Sequence, residues 1–184
     1  MANKEEYAVV LDFLPNGYAS DKRPFHIKTP IAQALGKETL VLLELVPKKD
    51  IFLQPHETVY IGEGKRDKIH HIAGRIGTVK LTPTANSELN YIVEELVKNN
   101  ETKFVEFYNK AGPINTRMHQ LELLPGIGKR HMLSILETRE QKQFDNFGDI
   151  KKRVPLLPDP EKAIIKRILL ELDGVEKHYL FVRM

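Results

Sequence analysis

The chain has 184 residues, 41% hydrophobic and 29% charged, with 28 Lys and Arg against 25 Asp and Glu and a formal net charge of +3. That length suffices for one large or two small domains with a buried core. The absence of cysteine excludes a disulfide scaffold, a thiolate zinc centre and a cysteine nucleophile.

The opening MANKEEYAVV has no apolar run followed by a cleavage site, and is read as carrying no signal peptide. The longest apolar stretches, such as TLVLLELV, fall far short of the ~20 residues that span a bilayer. A cytoplasmic protein with no membrane partner is expected. Four segments then read as strands: EYAVVLDFL (6–14), ETLVLLELVPK (38–48), ETVYIG (57–62) and HHIAGRIGTVKL (70–81). All are β-branched, aromatic or alternating, with turn residues between them. Between the first two lies PNGYASDKRPFHIKTPIAQALGK, expected as a polar loop with Pro15, Gly17, Pro24 and Pro30, ending in one short helical turn. Short strands joined by one long loop suit a small antiparallel barrel, and an OB-like barrel over residues 1–81 is the most economical reading.

The character changes near residue 82. TPTANSELNYIVEELVKNN offers an N-cap at Thr84 or Ser87, then Leu89, Ile92, Val93 and Leu96 at helical spacing. ETKFVEFYNKAG puts Phe104, Phe107 and Tyr108 on one stripe and closes at Gly112-Pro113. NTRMHQLELL, the turn PGIG, and KRHMLSILETREQ follow. The tail offers a short helix, a proline-rich break, a final helix with Ala163, Ile164, Ile168 and Leu172 inward, and a strand-like KHYLFVRM that returns to the barrel or caps the helices. The expected organisation is thus a β module over 1–81 and an all-α module over 82–184. No internal repeat long enough for a solenoid is present.

LLPGIGKRHMLSIL resembles the helix-hairpin-helix motif, in which two short helices flank a Pro-Gly-hydrophobic-Gly turn; here it is expected over about 115–138. Gly126 and Gly128 permit backbone conformations and close approaches closed to other residues, and Ile127 anchors the turn. A helix starting near Lys129 presents unpaired N–H groups and the positive end of its dipole, which together attract anions. Lys129 and Arg130 add charge suited to nucleic-acid phosphates, which position a protein without reporting sequence. Met132 stands where the motif carries a small residue at the helix crossing, which implies a wider crossing. DIKKRVPLLPDPEKAIIKRIL reads as a degenerate second hairpin, about 149–173, in which Asp159 would repel phosphate, so this copy is expected to serve packing. Lys151, Lys152 and Arg153 either extend a basic face or are a solvated helix end.

In the β module Lys48, Lys49, Lys65, Arg66, Lys68, Arg75 and Lys80 outnumber the acids between them. OB-type barrels combine such cations with stacking aromatics on single strands. Tyr18, Phe52 and Tyr60 are the available rings, each more often a core or rim residue. GEGKRDK (62–68) lacks the spacing of a nucleotide P-loop. His70 and His71 are adjacent, so on a regular strand they point to opposite faces and make a poor metal site. No metal or cofactor is expected.

VYIGEGKRDKIHHIAGRIG, FVEFYNKAGPINTRMHQLELLPGIGK and FGDIKKRV together resemble an uncharacterised archaeal family with an OB-like barrel joined to a helix-hairpin-helix domain, across about residues 5–182. The resemblance implies that two-module fold and a role in binding RNA or nucleotides, with Pro125, Gly126, Ile127 and Gly128 as the turn and Gly62 to Lys68 as the basic loop.

The leading expectation is a non-enzymatic nucleic-acid-binding protein, RNA favoured over DNA, that grips phosphate through Gly126, Ile127, Gly128, Lys129 and Arg130, and through Lys65, Arg66, Lys68 and Arg75. The alternative is a protein-interaction module of a ribonucleoprotein or transcription assembly. A DNA-repair enzyme is a third class: Asp145, Asp149 and Asp159 follow the hairpin, but none stands in the Gly/Pro-rich context of a glycosylase aspartate. No carboxylate cluster or nucleophile-elbow pattern is evident.

Overall fold

The strand-forming runs pair into one antiparallel sheet: β1 (Tyr7–Leu14), β2 (Ile31–Gly36), β3 (Leu42–Pro47), β4 (Thr58–Tyr60) and β5 (Ile69–Arg75), in the order β4-β1-β2-β3-β5. These coordinates are a computed structural model that describes residues 4–183. Register shifts interrupt the β1–β2 and β3–β5 ladders. Such bulges bend and twist a sheet locally, and the five strands curl into a half-barrel. Val10, Leu11, Leu35, Leu45, Ile61 and Ile69 are all essentially inaccessible to solvent, and the register sets Leu35 on the opposite face from Val10 and Leu45, so the sheet is buried on both faces.

One strand was hidden in the expected loop. Only Phe25–Ile27 forms a 3-10 turn there, and IAQALG is a central strand, β2, buried at every position. Ala, Gln and Leu favour helix when considered alone. The flanking strands β1 and β3 override that preference by satisfying both edges of the segment's backbone. Even Gln33 is buried without loss: its Nε2 donates to the Lys80 carbonyl at 2.8 Å and the Tyr18 hydroxyl at 3.2 Å, and its Oε1 accepts the Thr82 N–H at 2.9 Å.

Helix α1 (Pro83–Asn99) begins two residues earlier than a cap at Thr84 would start it and five earlier than one at Ser87. Thr82 is the cap: its hydroxyl accepts the Ala85 N–H at 3.0 Å and donates to Asp12 at 2.6 Å, with Pro83 at the first helical position. Leu89, Ile92, Val93 and Leu96 are all buried, as their spacing requires.

The chain divides into two units, Met1–Ile92 with Glu171–Met184, and Val93–Leu170. This division runs through α1 instead of ahead of it, and it returns the C-terminal segment to the sheet-containing unit. The described part of KHYLFVRM, residues 177–183, forms no strand. The fully buried carboxylate of Glu171 accepts the N–H groups of Leu180, Phe181 and Val182 at 2.7, 2.9 and 2.9 Å, and the Arg183 N–H donates to the Thr39 carbonyl at 3.0 Å.

The second unit contains α2 (Glu101–Lys110), a small hairpin of β6 (Pro113–Asn115) and β7 (Met118–His119), a 3-10 turn at Gln120–Leu123, α3 (Lys129–Gln141), α4 (Phe147–Arg153) and most of α5 (Pro160–Leu172). Phe104, Tyr108, Leu121, Leu124, Ile135, Ile150, Ile164 and Ile168 form its core; Phe107 is only half-buried. The segment ahead of Pro125, expected as a helix, is thus a β-hairpin and a four-residue 3-10 turn. Asn115 closes the hairpin by accepting the Arg117 N–H at 2.9 Å. His119 caps the 3-10 turn, its Nδ1 accepting the Leu121 N–H at 3.1 Å while Glu122 accepts the His119 N–H at 2.8 Å. Among the described residues, no helix is long and apolar enough to cross a membrane.

Candidate nucleic-acid interface

The PGIG turn delivers the chain into α3 with little of its own chemistry spent. Gly126 has φ +82°, a backbone that favours glycine, and a Cβ there would also be tight against the Pro158 ring at 3.1 Å. Ile127 is 4% exposed and its N–H donates to the Leu124 carbonyl at 3.1 Å. Ile127 is therefore an anchor whose side chain and amide are both committed inward, and it cannot contact phosphate as the sequence reading had it.

Gly128 differs. It is the N-cap of α3 in extended backbone, φ −97° and ψ −172°, a conformation open to any residue, and a Cβ there would meet nothing within 4 Å. Its carbonyl accepts the Met132 N–H at 3.0 Å. No side chain caps the helix and no acidic residue occupies its first turn. The N–H groups of Lys129, Arg130 and His131 consequently lack helical partners. Lys129 and Arg130 are exposed, and neither takes part in an ion pair among the described residues. His131 Nδ1 approaches the Gly126 carbonyl at 3.2 Å and closes the turn from within.

The second turn, VPLLPDP, ends very differently. Asp159 accepts the N–H groups of Glu161 and Lys162 at 3.0 and 3.1 Å and pairs with Lys151 at 2.6 Å. Burial alone would raise its pKa, but the Lys151 bond and the two amides outweigh that and hold the carboxyl below its usual range. Arg153 is also withdrawn from any basic face. Its guanidinium donates to the carbonyls of Thr138, Lys142 and Gln143, bonds Asp149 at 3.1 Å and stacks on Phe144 at 4.8 Å. Only Lys152 of that trio is exposed without a partner among the described residues. Asp145 and Asp149 are likewise engaged, with Lys142 at 3.0 Å and with Arg153.

In the first unit the basic loop is largely self-bound. The Arg66 Nε donates to the Gly62 carbonyl at 2.8 Å, Lys48 bonds the Arg66 carbonyl, and Lys68 pairs with Glu57. Lys65 is exposed and Arg75 lines a cleft of about 270 Å³ with Val41, Leu42, Leu172 and Val182. Glycines 62 and 64 serve Tyr60, whose hydroxyl accepts the Gly64 N–H at 3.0 Å and would collide with a Cβ at either position. The Tyr18 hydroxyl donates to Glu44 at 2.6 Å, and Lys80 bonds the same carboxylate at 2.9 Å. Of the three candidate rings only Phe52 is open, 76% exposed and edge-on to Phe13 at 6.0 Å.

The two adjacent histidines do not diverge. Val46 pairs with His71 and Pro47 with Ile69, which leaves His70 as the extra residue of a bulge. A bulge turns two successive side chains toward one side, and the two Nδ1 atoms lie 2.7 Å apart. No group of three or more metal-ligating side chains occurs among the described residues.

Two relatives share this chain's framework. It is 48% identical over 181 residues to the uncharacterised protein MJ0038 of Methanocaldococcus jannaschii, covering 97% of this chain and 80% of that one. The crystal structure of Af1531 from Archaeoglobus fulgidus superimposes with a TM-score of 0.88 at 44% identity, over 97% of this chain and 100% of that one. The family described as "Protein of unknown function (DUF655)" matches residues 4–183, and the chain belongs to this family of uncharacterised archaeal proteins.

Proposed function

We propose that this is a non-enzymatic nucleic-acid-binding protein, favouring RNA over DNA, in which the PGIG turn and the start of α3 grip phosphate in the manner of a helix-hairpin-helix motif. Gly128 carries the reading. At that position Ser, Thr, Asp or Asn would cap the helix, the backbone conformation demands no glycine, and open space would take a side chain. A bare N-cap beside two unpaired exposed cations keeps the amides of α3 available to an anion that approaches from outside. Lys129 and Arg130 make that anion a polymer of phosphates, since two adjacent cations match successive charges along a backbone.

The half-barrel is read as OB-like, with Phe52 as a stacking surface and Lys49, Lys65 and Arg75 as exposed cations outside the ion pairs among the described residues. RNA is favoured because a basic rim with one open ring suits single-stranded or irregular segments. Binding without turnover is expected because the carboxylates near the turn are tied up in caps and ion pairs.

The test is fluorescence anisotropy with labelled RNA and DNA over a salt series. Lys129→Glu with Arg130→Glu should weaken binding to all sequences alike and reduce the salt slope by roughly two. Unchanged affinity in the double variant would sink the proposal and leave protein interaction within a ribonucleoprotein or transcription assembly as the better reading. Incubation of the same labelled strands with magnesium or manganese checks for turnover; cleavage abolished by one carboxylate substitution would make the protein an enzyme.

A further inference from the structure

Among the described residues, four non-glycine positions adopt positive φ: Leu40, Asp50, His56 and Leu156. Asp and His tolerate this region better than most side chains. Leu40, at φ 54°, is 2% exposed, so burial of its side chain offsets the strain. Leu156, at φ 69°, is 91% exposed and has no such compensation.

The position makes the choice of residue stranger. Each turn contains a proline followed by a positive-φ residue and then an apolar one: Pro125-Gly126-Ile127 and Pro155-Leu156-Leu157. In each, the third residue's N–H returns to the carbonyl before the proline, Ile127 to Leu124 at 3.1 Å and Leu157 to Val154 at 3.4 Å. The first turn uses glycine where the geometry asks for it. The second uses a branched apolar residue and leaves it in water, where glycine or asparagine would meet the same geometry with less strain. Strain and apolar exposure in one side chain, with no burial to offset either, indicate an external use.

The location says what kind. Pro158 touches the Gly126 turn, its Cγ 3.1 Å from where a Cβ would stand, and Leu156 is two residues from Pro158, no more than about 7 Å along the chain. The turn that carries this apolar tip therefore touches the turn that leads into α3 and its two cations. We infer that Leu156 is a wedge that packs against an unstacked base while the neighbouring phosphates are held at Gly128, Lys129 and Arg130. This rests on the nucleic-acid reading above and narrows it. The preferred ligand is RNA with a bulge, loop or helix end, where a base face can be reached without breaking a continuous stack.

The experiment compares two RNA hairpins of equal length, one fully paired and one with a single bulge carrying a fluorescent adenine analogue that brightens on unstacking. Wild type should bind the bulged RNA about five- to tenfold more tightly, as a single base contact permits, and brighten it. Leu156→Asn, which tolerates positive φ but is polar, should bind both RNAs equally, with the affinity for the paired one unchanged and a Tm no lower than wild type. Leu156→Met should retain the preference. Equal wild-type affinities, or a preference that survives Leu156→Asn, overturn the wedge. If Lys129→Glu with Arg130→Glu weakens both RNAs while Leu156→Asn changes neither, the wedge alone fails; if the double variant changes neither, the underlying reading fails with it.

Discussion

The second unit starts two of its helices from turns of similar build and equips them in opposite ways. Before α5, the Asp159 carboxylate takes two of the helix's free amides and is itself neutralised by Lys151. Before α3, Gly128 supplies no acceptor, the first turn holds no acid, and Lys129 and Arg130 extend into solvent. The difference lies in what each helix start can still accept. A capped start has its positive dipole end already answered by a negative charge, whereas a bare start is open to one. Apolar exposure follows the reverse pattern: the capped turn carries the projecting Leu156, and the bare turn carries the buried Ile127.

The sharpest way to break this contrast is at Gly126. Gly126→Val adds a branched Cβ at φ +82° and against Pro158, and should destabilise the protein by about 2–3 kcal/mol. Urea denaturation measures it; a loss below about 0.5 kcal/mol, the level of an ordinary surface change, would mean that the turn relaxes freely. Next is Asp159→Ala, which removes the α5 cap and should cost about 1 kcal/mol. Asp159→Asn keeps an acceptor at the cap and isolates the charge. The folded pKa of Asp159 is depressed, so its stabilisation is complete above the unfolded carboxylate value and is lost as pH falls through the folded one. The asparagine variant should therefore lose less stability than wild type on acidification below about pH 4, near the unfolded aspartate pKa, as followed by thermal melts; an identical acid limb would show that this carboxylate contributes nothing.

The smallest change in stability has the opposite sign. Gly128→Asp gives α3 the cap that α5 already has, and should stabilise by roughly 0.5–1 kcal/mol while weakening nucleic-acid binding. Calorimetry and anisotropy on the same sample separate the two effects. A variant that gains stability and still binds normally would remove the reason for glycine at this position.

The alternating segments from Tyr7, Leu42, Thr58 and Ile69 could be read directly, because each carries its burial pattern in its own residues. The helical stripe Leu89–Ile92–Val93–Leu96 was equally open. β2 was not: IAQALG is helix-prone in isolation, and only the strands on either side make it extended. The cap at Thr82 was missed because Thr84 and Ser87 are equally good capping residues; the Asp12 bond that secures Thr82 comes from a residue distant in sequence. The paired orientation of His70 and His71 depends on a bulge whose register is set by β3, so no local pattern announced it. At the candidate site the PGIG turn was legible, since proline and glycine act through local backbone geometry. The loss of Arg153 and Lys68 from the basic surface was not, because each is withdrawn by a partner more than ten residues away in the chain.

The amino-acid sequence by itself determined the strand and helix periodicities, the change of character near residue 82 and the turn that opens α3, all of which follow from short-range sterics and side-chain spacing. Tertiary structure alone decided which charges remain free, which strand completes the sheet, and that the turn carrying an exposed leucine touches the turn before a bare helix start. Those outcomes depend on pairings between distant residues, where a hydrogen bond or ion pair can withdraw a side chain that its local sequence leaves available.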